Sequence, residues 1–243
     1  MRQKSRSRQT YRRLFTGLLV IFICLIAVGF YLYRSYGVNV ERSAMVMSWL
    51  RNPSANPEWA ATAGQRCGAA PFLIPSDGFI GFIWDDSFRI GHRHQGIDIF
   101  GGTEVNQTPV VAAYTGFLTR LPEWKSTVII RIPDDPLLPG RQIWAYYTHL
   151  AGPQGESYIS DQFPPGTYEK LVEAGELLGY QGNYSGTAGN PVGVHLHFSI
   201  VLDDGQGHFL NELEIENTLD PSPYLGFPLN ANYDVSSAPV CPQ

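Results

Sequence analysis

Six histidines occur in the 243-residue chain, and two short runs space them as a metal site would. The first is His94-Gln95-Gly96-Ile97-Asp98. If a strand begins at Gly96, Asp98 points to one face while Ile97 and Ile99 point to the other. Gly96 lets the backbone turn sharply, so His94 folds over the face that carries Asp98. Imidazole and carboxylate then meet one cation. The second run is Val194-His195-Leu196-His197-Phe198-Ser199-Ile200. Strict alternation puts His195, His197 and Ser199 on one face and Val194, Leu196, Phe198 and Ile200 on the other. Two imidazoles about 7 Å apart along a strand are hard to explain by packing. One of them can bind metal while its neighbour touches whatever occupies the open coordination position.

A third run, Ala145-Tyr146-Tyr147-Thr148-His149-Leu150, reads as a strand ending at His149. Alone it proves nothing. Taken together, a His, an Asp and one further His match the three protein ligands of an open, tetrahedral catalytic Zn²⁺ site. Two histidines then remain for the reaction. A structural zinc site would need a closed set of four, typically with cysteines, and Ca²⁺ or Mg²⁺ would call for oxygens. No H-E-x-x-H occurs, so a helix-borne glutamate base is not expected. His92 reads as an exposed loop residue and His208 as a surface residue of a Gly-Gln-Gly turn. Trp144, Tyr146 and Tyr180 read as core aromatics rather than groove residues.

The elements that must position these runs are short and β-like, separated by Gly, Pro, Asn and Asp. The pattern predicts strands over 79–84, 96–100, 110–121, 127–132, 142–150, 177–181 and 194–202, with one helix near 168–174. Residues 71–227 thus form one mainly β, antiparallel domain of ordinary size. Residues 228–243, rich in Pro, Asn and Ser, read as a surface tail. Residues 34–70 read as a stalk with a short amphipathic helix over 38–50, stopped by Asn52-Pro53.

Residues 1–13 hold six basic residues and no acid, and Leu14 to Tyr33 follow without a charge. Twenty helical residues span about 30 Å, the thickness of a bilayer's hydrocarbon core. The run is longer than the core of a signal peptide, so 14–33 reads as an uncleaved transmembrane signal-anchor helix. The basic tail belongs in the cytoplasm, which places the rest of the chain outside at the cell membrane. Eleven basic residues then face twenty-two acidic ones in 34–243, a poor surface for nucleic acid. Cys67 and Cys241 flank the outer domain; in an oxidising compartment they either pair or stay as free thiols, and spacing leaves both open.

H-x-x-x-D, then Y-x-H-L, then H-L-H-F, in this order in one β-rich domain, resembles the lysostaphin-type, LytM-like zinc metalloendopeptidases of peptidoglycan. The likeness runs from Phe79 to Gly226 and includes the Pro109-Val110-Val111-Ala112 strand and Asp220-Pro221. It implies a small antiparallel, sandwich-like β-sheet with a substrate groove. It implies that His94, Asp98 and His197 hold Zn²⁺, and that His149 and His195 are the catalytic pair beside it. It implies hydrolysis of peptidoglycan peptide bonds by zinc-activated water, and leaves protein partners open. The chain departs from the family at Ser199, where an acid is common, in the long loop 185–193, and in an insertion-like Pro-Asp-Asp-Pro-Leu-Leu-Pro segment. Other readings are a noncatalytic peptidoglycan-binding regulator, a zinc D-alanyl-D-alanine carboxypeptidase, and a protease acting on extracellular proteins.

Overall fold

The β-like runs pair as alternation demands in the computed structural model, which describes the backbone of residues 3–36, 39–87, 89–233 and 237–242. Side chains are described for 15–31 and for the last three ranges. Two helices come first, α1 (Gln3–Tyr36) and α2 (Val40–Arg51). Strands β1 (Ala60–Ala61), β2 (Gly78–Phe82), β3 (Ile97–Phe100), β4 (Pro109–Val111) and β5 (Gly116–Thr119) follow. Then come β6 (Val128–Ile132), β7 (Ile143–Thr148), β8 (Lys170–Val172), β9 (Leu177–Tyr180), β10 (Leu196–Leu202), β11 (Thr218–Leu219) and the short α3 (Ser222–Leu225).

One antiparallel sheet has the order β1-β2-β3-β10-β7-β6-β5-β8, with β11 also paired to β10. A second, two-stranded sheet joins β4 and β9. Ile97 and Ile99 of β3, Ala145 and Tyr147 of β7, and Leu196, Phe198 and Ile200 of β10 are completely buried. They share one apolar cluster with Val110 of β4 and Leu178 of β9. Period-two alternation thus sends the apolar residues of β10 into a core between two layers and leaves its histidine face outward. The expected mainly β, antiparallel class is what the chain adopts.

Three expectations about the elements need correction. The segment 168–174 is not a helix; Lys170–Val172 form edge strand β8, with Leu118 opposite Lys170 and Gly116 opposite Val172. Pairing to an open sheet edge overrides a weak local helix preference. The predicted strand over 110–121 divides into β4 and β5, which belong to different sheets. Residues 39–70 are not a free stalk, because α2 packs on the domain. Val46 and Trp49 are buried with Phe79 and Phe100. The Trp49 indole N–H donates to the Phe100 carbonyl at 2.7 Å. Arg42, also buried, pairs with Asp86 at 3.5 Å and donates to the Gly81 carbonyl at 3.2 Å.

The C-terminal segment is likewise no loose tail. Phe227 and Leu229 lie in the core, the Trp84 N–H donates to the Leu229 carbonyl, and a disulfide joins Cys67 to Cys241. At the other end, every described side chain of α1, from Phe15 to Tyr31, is exposed. Among the described residues no helix is long and apolar enough to cross a membrane. The expected span 14–33 extends beyond the described side chains at both ends, and the side chains of the basic cluster lie outside them.

If α2 belongs to the domain, Trp49→Ala should lower the unfolding free energy by about 3–5 kcal/mol, the usual cost of truncating a buried Trp. Urea denaturation of residues 39–243 would measure it. A change within about 0.5 kcal/mol would mean that α2 is an independent stalk.

Candidate metal centre and active-site cleft

The sheet order brings the three histidine runs side by side. In the chain, β7 lies between β3 and β10; in space, β10 lies between β3 and β7. His197 is the register partner of Asp98 on β3 and of Thr148 on β7. His149 continues directly from Thr148. His94 sits four residues before Asp98, and the intervening Gly96 is required by close approach. A Cβ there would stand 2.1 Å from the Phe198 carbonyl oxygen. The expected sharp turn at Gly96 is therefore a contact constraint, and its φ is not in the left-handed region.

Three ligand atoms converge. His94 Nε2 lies 3.0 Å from Asp98 Oδ1 and 3.0 Å from His197 Nδ1, and His197 Nδ1 lies 2.8 Å from Asp98 Oδ1. All three residues are buried. A tetrahedral ion with bonds of about 2.0–2.1 Å separates its ligand atoms by about 3.3 Å. The triangle is a few tenths of an ångström tighter, a difference that small side-chain rotations would close.

The second nitrogen of each ring explains why the first points inward. His94 Nδ1 lies 3.1 Å from the Ile83 carbonyl oxygen, and His197 Nε2 lies 2.7 Å from Glu212 Oε1. Those acceptors require an N–H, which leaves His94 Nε2 and His197 Nδ1 with their lone pairs toward Asp98. Two lone pairs and a carboxylate oxygen in one buried spot call for positive charge. Burial pushes the His197 imidazole down, but Glu212 and Asp98 prevail and raise it to about 10, so without a metal a proton on Nδ1 supplies that charge and a bound cation would displace it. Burial likewise opposes the Asp98 charge, yet His94, His195 and His197 hold its carboxyl well below the usual range. The donor set of two imidazoles and one carboxylate fits Zn²⁺ better than a hard cation.

His149 and His195 stand on the open side of this triangle, their ring centroids 4.5 Å apart. His149 donates Nδ1–H to the Tyr184 carbonyl and His195 donates Nδ1–H to the Gly193 carbonyl, both at 2.7 Å. Each ring therefore keeps Nε2 as the acceptor, and that of His195 lies 3.7 Å from Asp98 Oδ1. Burial is the main cause that lowers both pKa values, that of His149 to about 3. His149 adopts φ 71°, a left-handed backbone that a non-glycine residue holds only when its surroundings enforce it. Gly182 packs against that turn, where a Cβ would meet the Ala151 carbonyl oxygen at 2.1 Å. Phe100 stacks on His195 at 5.1 Å, and α2 in turn backs Phe100.

A cleft of about 650 Å³ opens over these five residues. Thr127, Tyr146, Thr148 and Tyr184 line it, and so do Ser43 and Met47 of α2. Tyr146 is thus a cleft residue rather than a core aromatic. His92 also lines the cleft, half-buried, with its imidazole lowered to about 4, mainly by burial. It is not the exposed loop residue expected. His208 is exposed and pairs with Asp204 at 3.2 Å, away from the cleft. Sequence reasoning did not find Glu212 or the contribution of α2. The unusual Ser199 was the only signal for Glu212, because the acid stands 13 residues further along.

No protein-family model and no curated protein matches the chain. Several solved structures do. Lysostaphin from Staphylococcus simulans is 16% identical over 70% of this chain and 53% of its own, with TM-score 0.36. Csd3 of Helicobacter pylori is 14% identical over 63% of this chain and 34% of its own, with TM-score 0.38. The catalytic domain of the prophage-encoded protein EnpA of Enterococcus faecalis is 20% identical over 60% of this chain and 93% of its own, with TM-score 0.37. The chain spans about a third of Csd3 and half of lysostaphin.

An imidazole NMR titration of the metal-free protein should find His149 neutral down to about pH 5, because its pKa is lowered to about 3. A His149 midpoint near the ordinary value of about 6.5 would show that the ring is solvated.

Proposed function

We propose that this chain is a membrane-anchored zinc metalloendopeptidase that hydrolyses peptide bonds of peptidoglycan outside the cytoplasm. The observation that carries the reading is the triangle of His94 Nε2, Asp98 Oδ1 and His197 Nδ1, 2.8–3.0 Å on a side, with two further imidazoles beside it. His94, Asp98 and His197 would hold the ion. A zinc ion supplies Lewis acidity and lowers the pKa of water from about 15.7 to roughly 7.

The chain's own residues do the rest. His149 and His195, kept neutral by burial and oriented by backbone carbonyls, are placed to take a proton at Nε2 and return it to the leaving amine. A protonated imidazole at either position stabilises negative charge developing on the peptide oxygen. The cleft walls of Tyr146, Tyr184, Val192 and Met47 limit water and pack against an extended peptide.

Anchoring is supported by the uncharged, exposed run of α1 from Phe15 to Tyr31, which lipid would cover, and by the basic residues that precede it. The disulfide agrees with an oxidising compartment. Peptidoglycan as the substrate follows from the resemblance of the three motifs to the lysostaphin-type family.

Full-length protein in detergent should contain zinc and open cross-links in isolated cell walls, with new internal amino termini read by mass spectrometry. Release of terminal D-alanine alone would identify a carboxypeptidase instead. His94→Ala, Asp98→Ala and His197→Ala should each lose zinc and activity together. His149→Ala and His195→Ala should keep zinc and lose turnover by about 10²–10⁴-fold. A fully active His149→Ala protein would remove that residue from the reaction.

A further inference from the structure

Position 199 shares the outward face of β10 with His197, two residues along. Ser199 is completely buried there, and its short side chain ends against Glu212 rather than an imidazole. Glu212 comes from the loop between β10 and β11. Its Oε1 lies 2.7 Å from His197 Nε2 and accepts from Ser199 Oγ at 3.2 Å, while only a tenth of the side chain is exposed. The loop itself is pinned to the first motif. Gln95, the residue after His94, donates its side-chain amide to the Leu213 carbonyl at 2.8 Å. A loop thus delivers a carboxylate to the outer nitrogen of His197.

We infer that Glu212 is the positioning residue for His197: it holds the Nε2–H tautomer and so aims Nδ1 at the metal. This inference rests on the metal-site reading of His94, Asp98 and His197. An imidazole carries one hydrogen when neutral. With a carboxylate oxygen against Nε2, the hydrogen stays on Nε2 and the lone pair stays on Nδ1. Without Glu212, the hydrogen moves to Nδ1 to bond Asp98 Oδ1, 2.8 Å away, and the ligand atom is blocked. Ser199 alone does not prevent this, because a hydroxyl adapts as donor or acceptor. The carboxylate also makes the imidazole a stronger ligand.

The test compares the full-length wild type with Glu212→Gln, Glu212→Ala and the double variant Glu212→Ala/Ser199→Glu. Zinc affinity is measured by chelator competition. Glu212→Ala should weaken zinc binding about 10–100-fold. Glu212→Gln is nearly isosteric and keeps a neutral acceptor, so it should fall between wild type and Ala. The double variant should recover most of the affinity, since a carboxylate grown from position 199 enters the space that Glu212 leaves. A general packing role predicts no such rescue. Glu212→Ala and Glu212→Gln proteins that bind zinc within about twofold of wild type would overturn the role of Glu212 alone. A wild type that binds no zinc would overturn the metal site itself, and this inference with it.

Discussion

The molecule is organised around one constraint, the cost of burying four imidazoles and a carboxylate close together. A buried polar atom without a partner costs roughly 1–3 kcal/mol. The chain answers by giving one nitrogen of each ring an oxygen acceptor: the carbonyls of Ile83, Tyr184 and Gly193, and the carboxylate of Glu212. With the outer nitrogens satisfied, the inner ones turn toward one spot. Orientation of the site is therefore set by ordinary hydrogen bonds made on its far side.

The central position of β10 makes this economical. A strand with a partner on each side is fixed in register by two ladders. His197 is held opposite Asp98 on one side and Thr148 on the other. A slip of one residue would send both histidines into the core and Leu196 and Phe198 into the cleft. The completely buried Leu196, Phe198 and Ile200 make that slip prohibitive. Gly96 adds a second lock, because its missing side chain lets the His94 turn lie against the Phe198 backbone.

Support extends outward to α2, which neither the strand pattern nor the histidine spacing suggested as part of the domain. Its Trp49 holds the Phe100 carbonyl, and the Phe100 ring stacks on His195. The same helix offers Ser43 and Met47 to the cleft. Residues close in sequence to α1 thus form one wall of the cleft. The apolar positions of α2 could have been read as a core face. Its Arg42 is buried against Asp86 and the Gly81 carbonyl, partners about forty residues away that no local pattern signals.

Period-two alternation and ligand chemistry are local properties, so the sequence by itself determined the β class, the two faces of β10, and five histidine and aspartate positions of the cleft. The H-x-x-x-D run was weak evidence alone, and the site became legible only from the three histidine runs taken together and the resemblance they carry. Strand order, by contrast, depends on which edges meet, and only the tertiary structure put β10 between β3 and β7. For the same reason β8 emerged where a helix was expected, the pairing of Cys67 with Cys241 was settled by the path of the C-terminal segment, and Glu212 reached His197 from a loop. Each of these is a contact between residues far apart in the chain, and no local pattern encodes the distance between them.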